Sequence, residues 1–347
     1  MSTFAILARP KSLPWLLLHA VFCAAPLAAQ YPLAPSPVLN LRTMPREAKL
    51  SGYASVRTTL RDDTATTTVN RARVTVQALP VPFAALRIQG DFSAAGRTSG
   101  DTVPAFSLTD AYVQIAPPDS GRMTKLLRPA LVVGQFRTPF SIEYLTSFAQ
   151  VITANRSQAV DRLSTRRDIG ALAELWIDHY AKLAGAVVGG EGPNRTTSDG
   201  RQMLVGRITL FPHSSLGVSA KLLGQGEDHR WGYDARWIAP GIGVILEGDL
   251  IRRTGPVGAT TTDASAGYLL AAYKVLPWLQ PVVKWERLHE TLTTTSTVKE
   301  LRLTWVTYGI NLLAPQERVR LQLNWIARSE RPVKRSDEFV AQLQANF

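Results

Sequence analysis

The sequence predicts an all-β chain: one transmembrane antiparallel β-barrel of about sixteen strands over residues 50–347. Three observations carry this. Segments of about ten residues alternate apolar and polar side chains, and clusters of Gly, Pro, Asp, Asn and Ser separate them. After the first thirty residues, no apolar run approaches the roughly 18 to 20 residues a spanning helix needs. The chain also ends on an alternating apolar row, Phe339, Ala341, Leu343, Ala345 and Phe347. A barrel needs such a row where its last strand closes on its first.

Residues 1–29 read as a secretory signal. Arg9 and Lys11 form a positive start, an apolar run follows from Leu13 to Leu18, and Ala28-Ala29 supplies a small-residue end. Pro14 and Pro26 argue against a spanning anchor, and cleavage is expected after Ala29. Phe22, just before Cys23, is too bulky for lipid attachment at that cysteine. Cys23 is the only cysteine, so the processed chain would have no disulfide or thiol chemistry. The signal holds two positive charges and no acid, so the net charge of +12 would become about 12 − 2 = +10. Residues 30–49, with Pro32, Pro35, Pro37 and Pro45, are expected to form an irregular lead that starts no strand.

Composition narrows the class. Hydrophobic residues at 45% against charged residues at 19% exclude a disordered chain. The basic residues are scattered from Arg42 to Lys334, unlike the concentrated basic arm of a nucleic-acid binder.

From Leu50 onward the strands follow from period two, because successive side chains leave opposite faces. In 70–78, Ala72, Val74, Val76 and Ala78 oppose Arg71, Arg73, Thr75 and Gln77. In 84–92, Ala84, Leu86, Ile88, Gly90 and Phe92 oppose Arg87, Gln89 and Asp91. Late in the chain, Val319, Leu321, Leu323 and Trp325 oppose Arg318, Arg320, Gln322 and Asn324. Connections between the expected strands are mostly short, with one long gap from Pro139 to about Arg167. A soluble sandwich also alternates, but its strands are commonly about 5–6 residues, shorter than these. Aromatics near the expected strand ends suit two interfacial girdles: Tyr112, Trp176, Tyr180, Trp231, Trp237, Tyr273, Trp278 and Trp325.

The segment Gly134-Gln135-Phe136-Arg137-Thr138-Pro139-Phe140-Ser141-Ile142-Glu143 resembles the Gly-x-Phe-Lys-x-Pro-Phe-Ser-x-Glu segment of the phosphate-selective porin O and P family. Arg137 stands where the lysine usually is, which keeps the positive charge. Weaker likenesses follow in order: Asn70-Arg71-Ala72-Arg73, Asp110-Ala111-Tyr112, Asn155-Arg156-Ser157 without the family's acid, Arg167-Asp168-Ile169-Gly170, and the terminal Gln344-Ala345-Asn346-Phe347. The resemblance implies a trimeric sixteen-stranded barrel with an inward-folded third loop. Phosphate selectivity itself does not transfer, since members of such a family pass other solutes.

The residues offer little for catalysis. The histidines beyond the signal, His179, His213, His229 and His289, are far apart with no metal-ligand spacing, and no nucleophile elbow or phosphate-binding loop is present. No catalytic residue, metal or cofactor is expected. The inward face is more informative. With apolar residues facing lipid, Arg57, Arg71, Arg73, Arg87, Arg137, Arg207, Lys221, Arg236, Lys284, Arg302, Arg318 and Arg320 face inward. They outnumber the inward acids Asp91, Asp110, Glu174, Asp234, Glu247, Asp249 and Glu286. A low-dielectric wall focuses such charge into the water path and concentrates anions there. The bland alternative is that the charges pair with one another and simply solvate the lumen.

Residues 141–166 are the candidate constriction loop, with Arg156, Arg162 and Arg166 expected to face Arg137 across the opening and Glu143 and Asp161 to hold their geometry. The expectation is therefore passive diffusion of small hydrophilic solutes, leaning toward anions such as phosphate, across a bacterial outer membrane. The expected partners are those solutes, outer-membrane lipid, two further copies in a homotrimer, and the barrel-assembly machinery through Phe347; no nucleic acid is expected. A non-conducting structural or adhesive barrel, or a barrel-borne lipid hydrolase, are the alternatives that a conductance trace would separate.

Overall fold

The computed structural model describes residues 31–347, apart from residue 45 and segments 94–105, 119–125, 198–199, 258–259 and 295. The expected signal, residues 1–29, lies outside the described residues.

Sixteen strands, β1 to β16, pair antiparallel, each with its sequence neighbours, and close into one barrel through β1 against β16. The strands that position the site are β1 (Lys49–Arg61), β2 (Thr64–Val81), β3 (Ala84–Asp91), β4 (Ser107–Ile115), β5 (Leu127–Arg137) and β6 (Arg167–Ile177). The opposite wall runs through β7 (Ala181–Val188), β8 (Met203–His213), β9 (Leu216–Gln225), β10 (Asp228–Ala239), β11 (Val244–Val257) and β12 (Thr260–Tyr273). The circuit is completed by β13 (Leu279–Thr293), β14 (Val298–Leu313), β15 (Val319–Arg331) and β16 (Glu338–Asn346).

The seam is built from the terminal row. Pairing runs from Tyr53 opposite Asn346 to Leu60 opposite Phe339. The last residue is tied in as well: Gly52 N–H donates to the Phe347 carbonyl and Phe347 N–H to the Gly52 carbonyl, each at 3.0 Å. A Cβ on Gly52 would meet Phe347 Cζ at 2.5 Å, so only glycine leaves room for that ring.

The outward face is the apolar one. Ile88, Val133, Leu204, Leu222, Leu250 and Leu269 are all exposed there, as a lipid-facing band requires. Tyr180, Tyr273 and Trp278 stand exposed near one end of the barrel, and Trp231 and Trp325 on the half toward the other. The start of β1, the end of β16 and most short turns lie at the first end, which is the periplasmic end of such barrels. The connection 138–166 leaves the wall at the other end and spans 29 residues.

Three expected facings are corrected. Tyr112 and Trp176 point into the lumen, where they meet the N-terminal lead: Tyr112 donates to the Pro37 carbonyl, and Trp176 shares a cavity wall with Ser36 and Val38. Arg302 points outward and pairs with Glu300 at 2.6 Å. Its neighbours Leu301, Leu303 and Trp305 face inward because the long loop gives the lumen an apolar interior to pack against.

Candidate pore constriction

The 138–166 connection folds into the lumen. It carries a helical turn α1 (Ile142–Leu145), a 3₁₀ turn (Phe148–Gln150) and a short helix α2 (Gln158–Leu163). Pro139 has no N–H for a ladder, so β5 stops before it and the chain turns inward. The neck is fastened where Thr138 N–H donates to the Arg166 carbonyl at 3.1 Å. Phe140, Ile142, Val160 and Leu163 are almost fully buried and form the apolar side of the loop.

An irregular loop inside a barrel must place its backbone polar groups somewhere. Here the wall side chains take them. Arg207 donates to the Phe140 carbonyl at 3.0 Å, Arg320 to the Val151 carbonyl at 3.0 Å, and Gln322 to the Ile152 carbonyl at 2.8 Å. Ala154 N–H donates to Asn324 at 2.7 Å, and its carbonyl accepts from Arg57 at 2.5 Å. Lys284 donates to the Asn155 carbonyl at 2.9 Å. Inside the loop, Ser157 N–H donates to both Glu143 oxygens at 3.1 and 2.9 Å. Burial pushes the Glu143 carboxyl up to about 8.

The residues singled out from the sequence separate into groups. Arg137 is buried at the loop root and donates to the Leu145 carbonyl at 2.8 Å, which ties the loop to its own strand. Glu143 is buried inside the loop, and Arg162 reaches Glu290 on β13 at 2.5 Å. Arg166 and Asp161 pair with each other at 2.9 Å on the exposed side of the loop. Arg137 and Arg162 therefore do not face each other across an opening. Of the wall residues, Arg73, Arg87, Arg207 and Arg320 face inward; each holds a carboxylate. Arg318 is exposed in the turn before β15 and does not line the lumen, because the strand begins only at Val319.

Most lumen cations are neutralised in place. Arg73 holds Asp91 at 2.7 Å; Arg87 and Arg167 share Asp110 at 3.0 and 2.6 Å. Arg207 and Lys221 share Asp234 at 2.5 and 3.2 Å, and Lys221 also meets Asp249. Arg236 holds Glu247 at 2.6 Å and Arg320 holds Glu317 at 2.6 Å.

Three arginines are different. Among the described residues, neither Arg57 nor Arg156 has a carboxylate within ion-pair distance; their polar partners are Gln342 and the carbonyls of Ala154 and Thr146. Arg71 has only Asp91 at 4.0 Å. The guanidiniums of Arg71 and Arg156 each lie 4.7 Å from the Phe148 ring centre, and Arg156 also covers Tyr144 at 4.4 Å. The Nε atoms of Arg71 and Arg156 are buried with no hydrogen-bond partner among the described residues. All three arginines line one cavity of about 470 Å³ between the loop and the β1–β4 wall, with Arg73, Arg166 and Arg167 against Asp91 and Asp161. The sequence marked Arg57 as inward but did not distinguish it from the paired cations; Phe148 and Tyr144, which carry the stack, gave no polar signal.

No protein-family model matches the chain, and no curated protein matches it in sequence. Solved structures do match its fold. The outer membrane channel DcaP of Acinetobacter baumannii matches with TM-score 0.61 at 11% identity, over 87% of this chain and 97% of that one. In vitro folded OmpT of Vibrio cholerae, in its trimer form, matches with TM-score 0.59 at 10% identity, over 87% and 99%. The anion-selective porin from Comamonas acidovorans matches with TM-score 0.56 at 12% identity, over 87% and 99%. The closed sixteen-stranded barrel is thus of the bacterial outer-membrane porin class in fold.

Proposed function

We propose that the chain is a passive porin of the bacterial outer membrane that admits small hydrophilic solutes and prefers anions. One observation carries the preference: Arg57, Arg71 and Arg156 converge on a single lumen cavity where, among the described residues, their one ion-pair partner is Asp91, 4.0 Å from Arg71. An unneutralised guanidinium is always charged and offers a planar fork to phosphate or carboxylate oxygens. The low-dielectric wall makes that charge felt along the water path. The name of the Comamonas acidovorans neighbour supports the anion reading.

The finer readings rest on this. The Gly134–Glu143 likeness supports kinship with the phosphate-selective O and P porins, and phosphate is the first anion to try. The trimer form of the Vibrio cholerae neighbour supports a homotrimer. Residues 1–29 act as the export signal, and Phe347 offers its exposed ring to the barrel-assembly machinery. We read no reaction and no cofactor into the molecule.

The test is single-channel recording of the purified chain in a planar bilayer with a salt gradient. Stepwise openings with a zero-current potential of anion sign are expected. A silent bilayer would favour a structural or adhesive barrel, and a cation-signed potential would remove the anion preference while leaving the porin.

A further inference from the structure

The lead that the sequence marked only as irregular lies inside the barrel. From Tyr31 to Leu39 it lies along inward-facing residues of the periplasmic half. Tyr31 donates to Glu317 at 3.0 Å and accepts from Arg320 at 3.2 Å. The Pro32 carbonyl accepts from Arg236 at 2.5 Å. The Ala34 and Pro35 carbonyls accept from Lys182 at 3.2 and 3.3 Å, and Ser36 donates to Glu174 at 2.5 Å. Tyr112 donates to the Pro37 carbonyl. Leu39 is held by Gln114 in both directions, at 2.6 Å through its N–H and 2.9 Å through its carbonyl. The wall is cut away to admit it: a Cβ on Gly217 would meet the Leu33 carbonyl at 3.1 Å. Tyr31, Ala34, Pro35 and Pro37 are buried.

Two arginines bind this segment and the constriction loop at once. Arg236 donates to the Pro32 carbonyl and to Thr146 of the loop, the latter at 2.8 Å. Arg320 donates to the Tyr31 hydroxyl and to the Val151 carbonyl of the loop. The chain thus places a second element across the lumen below the loop and anchors both to the same cations. Proline-rich backbone suits the role, because an extended segment with fixed φ angles offers carbonyls and few N–H groups needing partners.

We propose that residues 31–44 form a releasable strap that narrows the periplasmic mouth and locks the constriction loop through Arg236 and Arg320. Among the described residues the strap's backbone N–H and carbonyl groups meet wall side chains and none enters a strand ladder, so it can leave without unzipping a strand. When it leaves, Lys182, Arg236 and Arg320 lose neutral partners and the mouth widens.

The idea rests on the porin reading, and the experiment keeps the two apart. Unitary conductance is measured for the wild-type chain, for a chain whose residues 31–44 are replaced by a Gly/Ser run of equal length, and for Tyr112→Phe/Gln114→Ala, which removes two wall anchors. Folding of each is checked by heat-modifiable gel migration. The replaced strap should raise unitary conductance roughly twofold or more, since it clears part of the cross-section that limits ion flow. The anchor variant should step between the wild-type level and that higher level. A folded replacement chain with wild-type conductance overturns the strap and leaves the porin; silence from all three overturns both. If the replacement chain does not fold, the anchor variant decides, and one steady level at the wild-type value overturns the strap.

Discussion

Replacing Arg71 and Arg156 together by Gln removes two charges from the cavity while keeping side chains long enough to lie on Phe148. Both guanidiniums lie 4.7 Å from the same ring centre and line one cavity, and an anion seated between them at about 5 Å from each sets the scale. At that distance Coulomb attraction is about 0.8 kcal/mol per charge in bulk water and about 3 kcal/mol at an effective dielectric near 20. Screening at 0.1 M salt, where the Debye length is about 10 Å, reduces the lower figure by roughly 40%. The two charges together then contribute at least about 1 kcal/mol, or roughly fivefold in anion partitioning. The assay is the zero-current potential across a potassium chloride gradient, with single-channel conductance as a check that the pore still opens. The double variant should move the potential toward cation sign by an amount equivalent to at least that fivefold change in permeability ratio. Arg162→Gln is the control, because Arg162 is held by Glu290 and does not line the cavity; it should leave the potential in place. An unmoved potential in R71Q/R156Q, with open channels, would refute the assignment of the ion path to this cavity.

Other outcomes follow from the same contacts. Glu143 has its carboxyl raised from about 4.5 to about 8 by burial, so its contribution to loop docking is full below about pH 4.5 and is lost as pH rises through about 8; current noise from loop motion should grow over that window in the wild type and stay flat in Glu143→Gln. Asp234→Ala takes the carboxylate from buried Arg207 and should cost about 3–5 kcal/mol, read as a lower urea midpoint for loss of the heat-modifiable folded band. Deleting Phe347 removes the two hydrogen bonds to Gly52 and the exposed terminal ring, and should lower outer-membrane yield without changing unitary conductance, measured by blotting membrane fractions and by bilayer recording. Added phosphate should reduce chloride current in the wild type at concentrations that leave R71Q/R156Q unaffected.

The barrel was legible because lipid enforces a simple rule. Wherever the outer face meets hydrocarbon, Val133, Leu222 or Leu269 must stand there, and the opposite parity must be polar. The rule fails where the lumen is not water. Trp305, Ile326 and Val340 point inward because Ala154 of the loop gives them an apolar partner, and Arg302 is turned outward as a consequence. Tyr112 and Trp176 look like girdle aromatics in sequence, yet they face the strap. Parity reports facing only if one side is known to be lipid and the other water; a lumen partly filled by its own chain breaks the second condition. The loop was legible by its length and by Pro139, but its contacts were not. Glu143 finds Ser157 only 14 residues on, while Ser141 finds Asp249 across the barrel, 108 residues away.

The count of inward cations, which suggested an anion preference from sequence, is also a weaker guide than their pairing. Arg207, Lys221, Asp234 and Asp249 form a buried cluster whose members are almost fully withdrawn from solvent. Such a cluster carries little net charge, so its field falls off faster than that of a single ion, and its effect is to fix β8, β9, β10 and β11 against the loop. Adding further pairs of this kind would raise the lumen's charge count without changing what a passing ion experiences. Arg57, Arg71 and Arg156 are the converse case. Arg57 and Arg156 are compensated by carbonyls, an amide and aromatic faces, and Arg71 by a carbonyl, the Phe148 face and Asp91 at 4.0 Å, contacts that leave much of the positive charge uncancelled. Their field therefore reaches into the cavity they line, and that residual charge, rather than the net charge of +12, is what an anion entering the pore would meet.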